Sequence, residues 1–527
     1  MSTPLPGKHP PCMIMTEESL KGHIRKGVWS FMKGKRGYPL AILVLFAACM
    51  GTLTGCQDTP EESAVVSKAE GLSEELIAEP LAEGESQRIE LPDRWEETKK
   101  WNKDRWIFHT DLKLESVETG NLPIVEIEQY PMTQEELEKL TKYFADGQEL
   151  YLPRPVSREE CENKLNRIQN MEGVYSVYTI DMLMSDTANM LREGIELAQP
   201  ESGLTDQKAD LQFGPKQTDE AEKVIYGIPD ETYESYKEPL FFDADVGEKR
   251  TSRISARKYD ADTGKTSMFE WMEGDKILYQ RDGIDLYKGY HAQYADISET
   301  DQKWEEILDQ CTSMMAEENI KEEEGKKQAE TLLKELGIEN KIYAYSQPVL
   351  WFPAGTYEED IAYSSYDSLW HADLKQAEPG YVYTFLNEIG GQPVDLKYGG
   401  IMLGNPEEGA GGDTYAPSMP VETISIAVTQ SGVKMFSWTG MSKEVSVVTE
   451  NVKLLPFEKI QERIKQYISY CFPGSQPVDN TTLFRYDLEK LTFGYTYIPA
   501  YGKPEHVWAV PAWILDFGSS HNNPKLS

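Results

Sequence analysis

Apolar side chains recur at strand or helix spacing along most of the chain, and the changes of period mark its elements. In "NLPIVEIEQYPM", Ile124, Glu126 and Glu128 alternate with Val125 and Ile127, a strand pattern that runs into a Pro-Met turn. Thr133 and Glu136 have capping-box spacing ahead of Leu137, Leu140 and Phe144, which share one helical face. Ser157 and Glu160 repeat the device before Cys161, Leu165 and Ile168. Residues 199–222 read as an exposed loop. From Thr251, three short strand runs separated by Asp262-Thr263-Gly264 and Glu273-Gly274-Asp275 predict a meander.

A helix follows over about residues 301 to 315, with Trp304, Ile307, Leu308, Cys311 and Met315 on one stripe. The charged run "EENIKEEEGKK" then predicts a boundary. In the second half, "KKQAETLLKELGIEN" places Ala329, Leu332, Leu333 and Leu336 together, ends at Gly337 and leads through a long Tyr-rich loop to "GYVYTFLNEIGGQPVDL". A hairpin around Ser431-Gly432 comes next. A helix striped by Ile460, Ile464, Tyr467, Ile468 and Cys471 and a final hairpin, "KLTFGYTYIPAYGKPEHVWAVPAWILDF", complete the pattern. The fold class is α+β, with helices packed on antiparallel meander sheets, and 527 residues allow two or three such units.

The front of the chain follows a different logic. Lys33, Lys35 and Arg36 precede eleven apolar residues, 40 to 50, a run too short for a span of about 20 residues but suited to an export signal. Leu53-Thr54-Gly55-Cys56 closes it and resembles the lipobox of bacterial lipoproteins. That resemblance implies diacylglycerol (and palmitate) on Cys56, cleavage between Gly55 and Cys56, and a protein anchored in the cell membrane and facing outside. Residues 1–55 are then the signal peptide, within which 1–31 lengthen the front beyond the usual and read as a start-site artefact. Residues 56–92 hold ten acidic and two basic residues and no aromatic, the composition of a disordered tether. The expected domains are an N-terminal α+β domain over 93–320 and a C-terminal region over 321–527.

The order "QAETLLKELGI … GYVYTFLNEIGGQPV … ISIAVTQSGVKMFSW" resembles the helix-plus-meander of PepSY-like domains, and residues 457–517, with "PAW" at Pro511 to Trp513, resemble a second copy in tandem. Both are similar to the membrane-anchored extracytoplasmic regulators of Yyc-type sensor kinases, and the whole chain is similar to uncharacterised lipoproteins of Gram-positive anaerobes. The resemblance implies a regulatory, protein-binding role with an envelope partner such as a sensor kinase or peptidase. A strand expected after "PAW" is missing, which reads as a truncated second copy.

Charge narrows the partners. The chain carries −36, and residues 1–55 hold seven Lys or Arg against two Glu, so the remainder is more acidic still. Such a surface repels phosphate backbones, and nucleic acid is excluded as a partner. Catalytic signatures are missing from the sequence: no HExxH, no GxSxG and no GxGxxG occurs. "DADTGKTS" has neither the glycine spacing of a phosphate loop nor the ligand spacing of a calcium loop, and reads as a turn; Asp243-Ala244-Asp245 is discounted in the same way. His371-Ala372-Asp373 could serve a metal, but it stands alone, and abundant carboxylates make chance pairs common. Gly409 to Asp413 reads as a connector loop. Cys161, Cys311 and Cys471 read as buried thiols rather than a disulfide framework. No cofactor, metal or catalytic residue is therefore expected, and the chain reads as a non-enzymatic envelope protein. Two alternatives remain. Trp351, Tyr363, Tyr366 and Trp370 could form a glycan- or solute-binding surface, and an acid pair in a cleft would make a carboxylate hydrolase.

Overall fold

The computed structural model describes residues 66–67, 71–72, 74–82, 84–101, 106–170, 188–216, 220–225, 238–277, 299–316, 320–354, 373–394, 401–402, 414–415, 419–471, 484–500 and 503–517. Strands β1 (Arg94–Trp101), β2 (Trp106–Lys113) and β3 (Ile124–Gln129) lead into helix α1 (Gln134–Ala145). The expected capping box is present: Thr133 accepts from the Glu136 N–H while the Glu136 carboxylate accepts from the Thr133 N–H. Strand β4 (Leu150–Tyr151) and helix α2 (Arg158–Asn170) follow, with the Ser157 hydroxyl 3.1 Å from the Glu160 N–H. Next come β5 (Phe241–Val246), β6 (Ser252–Arg257), β7 (Met268–Glu273), β8 (Asp275–Ile277), helix α3 (Glu299–Ala316) and helix α4 (Glu322–Leu336). The rest includes β9 (Lys341–Phe352), β10 (Glu378–Ile389), β11 (Gln392–Pro393), β12 (Thr423–Thr429), β13 (Gly432–Thr439), β14 (Ser442–Thr449), helix α5 (Phe457–Cys471), β15 (Phe484–Ala500) and β16 (Lys503–Phe517).

Two large sheets organise these elements. One has ten strands in the order β8-β9-β10-β12-β13-β7-β6-β5-β4, with β11 beside β10; the other has six, β14-β3-β16-β15-β2-β1. All pairings within them are antiparallel except β2 with β15. The α+β class thus holds, but the boundary expected at residue 320 falls inside a sheet. Strand β7 hydrogen-bonds to β13, and β3 to β14 and β16, so backbone pairing joins the two halves of the sequence in both sheets. Likewise, the helix and hairpin of residues 457–517 complete their sheet with strands from the first half.

The meander expected after Thr251 is half right. β6 pairs with β7, but β8 leaves for the far end of the sheet and pairs with β9. Only Gly274 separates β7 from β8, and two residues span at most about 7 Å, so the sheet must curl back on itself through β9, β10, β12 and β13. Gly274 sits at the closure with φ +86°, and a Cβ there would collide with the Phe352 carbonyl.

The two faces of this curl carry different cores. Phe269, Trp271, Tyr383, Phe385, Ile424, Ile426, Val428 and Phe436 pack outward against Leu137, Leu140 and Phe144 of α1 and Ala329, Leu332, Leu333 and Leu336 of α4. Alternate residues Met272, Val349, Trp351, Val382, Ala427 and Met435 form a second cluster on the opposite face. Helix α5 covers the six-stranded sheet, with Phe457 and Ile464 on Trp95, Phe108 and Leu488.

Three further expectations need correction. The Tyr-rich stretch after Gly337 begins as the twelve-residue strand β9, because Val349, Leu350, Trp351 and Phe352 all find buried positions. The loop at 199–222 is pinned, with Ala209, Leu211 and Phe213 packed on the larger core. The tether expected through residue 92 carries structure in its described parts, where Val66–Ser67 pairs with Gly71–Leu72 and residues 74–82 and 84–92 are tied to the rest. A 3-10 turn spans Glu74–Leu76, Gln87–Ile89 pairs with Val117–Thr119, and Ile89 and Leu91 enter cores. Asn121 and Asn451 bind its backbone at Leu81 and Glu79. Ile89, Leu91 and these amides anchor a segment whose composition alone predicts disorder.

Candidate functional site

Strand β3 reads "IVEIEQ", and burial on both faces makes its acids conspicuous. Glu126, 5% exposed, lies among Ile124, Val125 and Ile127. A buried carboxylate needs partners, and the flanking strands supply them. From β16, Lys503 Nζ donates to Glu126 Oε1 at 2.5 Å and His506 Nδ1 lies 2.5 Å from the same oxygen. From β14, the Ser446 hydroxyl donates to Glu126 Oε2 at 3.4 Å. Two residues on, Glu128 meets Lys443 Nζ of β14 at 2.8 Å and His506 Nε2 at 3.4 Å.

Both imidazole nitrogens therefore face carboxylate oxygens. A protonated ring can donate to both, whereas a neutral ring can donate to one only. The hydrogen bond from Lys503, reinforced by His506 and opposed by burial, holds the Glu126 carboxyl below the usual carboxylate range. Nucleophilic catalysis would require the base to touch the nucleophile, but Ser446 bonds the carboxylate rather than the imidazole. The group acts as a charged ladder that ties β14, β3 and β16 together.

Outside this ladder lies β14, an outer strand of the six-stranded sheet among the described residues. Its register against β3 breaks between Glu444 and Ser446 and again between Val447 and Thr449, so Val445 and Val448 are the inserted residues of two bulges. Val445, Val447 and Val448 are 43%, 50% and 37% exposed. Ile77, also exposed, bridges Val452 three residues beyond the strand. Half of the eight exposed large hydrophobics among the described residues thus gather at this edge.

A second polar cluster joins the two sheets. Glu422, 2% exposed, accepts from Trp438 Nε1 at 2.7 Å and Lys341 Nζ at 3.0 Å through Oε1. Its Oε2 accepts from Asn387 Nδ2 at 3.1 Å and from the Ser442 N–H and hydroxyl at 3.0 and 2.7 Å. Lys341 also donates to Asn387 Oδ1 at 2.6 Å. Five donors on one carboxylate satisfy its lone pairs and leave it no free valence for a ligand.

The site residues named from sequence fare unevenly. Trp351 does not belong to a binding surface: it is 2% exposed in the inner cluster of the curled sheet, and its Nε1 donates to the Glu273 carbonyl at 2.6 Å. Gly55, Cys56, Tyr363, Tyr366, Trp370, His371 and the loop from Gly409 to Asp413 lie outside the described residues. Asp373 caps a short 3-10 turn. Asp243 bonds Arg253 and Ser255, and Asp245 bonds Arg250 at 2.5 Å. Asp260 and Thr263 close a turn. Cys161 and Cys311 are buried, and desolvation pushes the Cys311 thiol up to about 12. Among the described residues no group of three His, Cys, Asp or Glu is placed to hold a metal ion. Sequence reasoning missed His506, Lys503 and the whole of β14. Two signals were available: acids at period two inside an Ile/Val run, and the β-branched "SKEVSVVT".

No family model matches the chain. No curated protein matches it either. Among solved structures it is similar to an uncharacterized protein from Eubacterium rectale, at 10% identity and a TM-score of 0.36, over 82% of this chain and 88% of that one.

Proposed function

We propose that this chain is an extracytoplasmic protein, held by lipid on Cys56 at the outer face of the cell membrane, that works by binding a protein partner rather than by catalysis. The observation that carries the reading is β14: an eight-residue edge strand bearing three exposed valines, beside polar clusters whose charges are already matched. Edge amides and carbonyls are a template for another strand, and although Lys443, Glu444 and two bulges blunt this edge, its valines stay exposed. Lipid anchoring is supported by the order of Lys33, Lys35, Arg36, the apolar run and Leu53-Thr54-Gly55-Cys56. No helix of the described residues is long and apolar enough to cross a membrane. A PepSY-like unit is supported by α4 followed by β9, β10, β12 and β13 in helix-plus-meander order. By that analogy the partner is an envelope protein such as a sensor kinase or peptidase. A photo-crosslinking residue at Val447, in cells that make the lipidated protein, tests the reading. It predicts one dominant envelope-protein adduct that is missing when the crosslinker stands at Lys99; a folded, lipidated protein with no adduct at Val447 would overturn it.

One observation favours solute binding instead: an open groove of about 450 Å³ bordered by Leu91, Leu114, Phe493 and Trp513. Binding on a glycan array that disappears with Trp513→Ala would support that alternative.

A further inference from the structure

We infer that the segment received by β14 is an extended, β-branched and net basic strand of a different protein. The inference rests on the reading of this edge as a docking surface and names the chemistry of what docks there.

Backbone geometry sets the first requirement. No described strand pairs with the outer side of Ser442–Thr449, and its main-chain donors and acceptors are of a kind that another extended chain can match. Val445, Val447 and Val448 add an apolar lining, and cross-strand pairing favours β-branched residues opposite valine.

Net charge decides against a second copy of this chain, which would bring a second surface more acidic than −36, once residues 1–55 are removed, against the first. An acidic partner meets the same repulsion. Locally, Lys443 on the edge strand is engaged by Glu128, while Glu444 on the strand and Glu450 just beyond it stand exposed. The charge left for a partner to meet is negative. Basic side chains alternating with Val, Ile or Thr satisfy the amides, the valines and the acids together.

The test uses the full lipidated protein in detergent and three short probe peptides: one alternating Val and Lys, one with Glu in place of each Lys, and a Val/Lys peptide with proline at its centre. Amide hydrogen exchange over residues 442–449 and affinity at low and high salt are the readouts. Expected results are protection of 442–449 by the Val/Lys peptide, weakening with salt, and at least roughly tenfold weaker binding of the Glu and proline peptides. Val447→Asp should abolish the protection, and Val447→Thr, which keeps β-branching, should retain most of it. Equal protection by the Lys and Glu peptides would overturn the basic partner while leaving the docking edge standing. Protection by neither peptide would overturn the docking edge itself. A dimer in sedimentation that Val447→Asp dissolves would make a second copy the occupant and overturn the inference.

Discussion

The two sheets of this protein end in different ways. The ten-stranded sheet stops on strands of two and three residues, Leu150–Tyr151 and Asp275–Ile277. The first is covered by residues 207–209, which hydrogen-bond to Leu150 and Leu152, and by an ionic net in which Asp206 binds both Arg154 and Arg250. The second is drawn into the curl by Gly274. The six-stranded sheet stops on eight residues at each side, and here too one edge is conventional: Arg94–Trp101 carries Arg94, Glu96, Glu97, Lys99 and Lys100. Ser442–Thr449 is itself blunted by Lys443, Glu444 and two bulges, yet among the four outer strands of the described residues it alone also turns valines to solvent.

This contrast can be broken in graded steps. The largest effect is expected at the junction of the sheets. Glu422→Ala strands Lys341 in a buried site and should cost about 3–5 kcal/mol in chemical denaturation. Next is the closure of the larger sheet. Gly274→Val forces a β-branched side chain to φ +86° and into the Phe352 carbonyl, and should cost about 2–3 kcal/mol or prevent folding.

The ladder behind the valine edge ranks third. Glu126→Gln should cost about 1–3 kcal/mol, since His506 and the half-exposed Lys503 lose the charged acceptor that the buried Glu126 provides. It should also flatten the pH dependence. The Glu126 carboxyl titrates lower in the folded chain than in the unfolded one, so its contribution is fully present above the ordinary carboxylate value and fades as pH falls through the folded one. Thermal melts from pH 6 down to pH 3 should therefore drop more steeply for the native protein than for Glu126→Gln. The smallest stability effect belongs to the edge itself. Val447→Lys, at a half-exposed position, should stay within about 0.5 kcal/mol of the native protein while removing strand docking. A large loss of stability there would show that the valines serve the core and would erase the contrast between the edges.

Much of the local structure was legible in the sequence. Capping at Thr133 and Glu136, the α4 stripe, the hairpin at Ser431-Gly432 and the last hairpin all follow from periodicity and turn chemistry. Long-range pairing was not. Nothing local in "MFEWMEGDKI" reveals that its two halves bond to strands some 165 and 75 residues away in the chain, because register is chosen by cores that form only on folding. The same limit misplaced Trp351. An aromatic among tyrosines looks like a stacking platform, but the alternation of β9 turns it into the interior. The site suffered from averaging: among 89 acidic residues, Glu126 and Glu128 carry no mark except their apolar neighbours, and the Lys503 and His506 that complete them lie far along the chain.

The most direct test of the unequal edges is amide hydrogen exchange on the lipidated protein in its own membranes and again after purification. Residues 442–449 should exchange at least roughly tenfold more slowly in the membranes, where the partner is present, while residues 94–101 exchange alike in both preparations. Equal exchange of 442–449 in the two preparations would contradict the account.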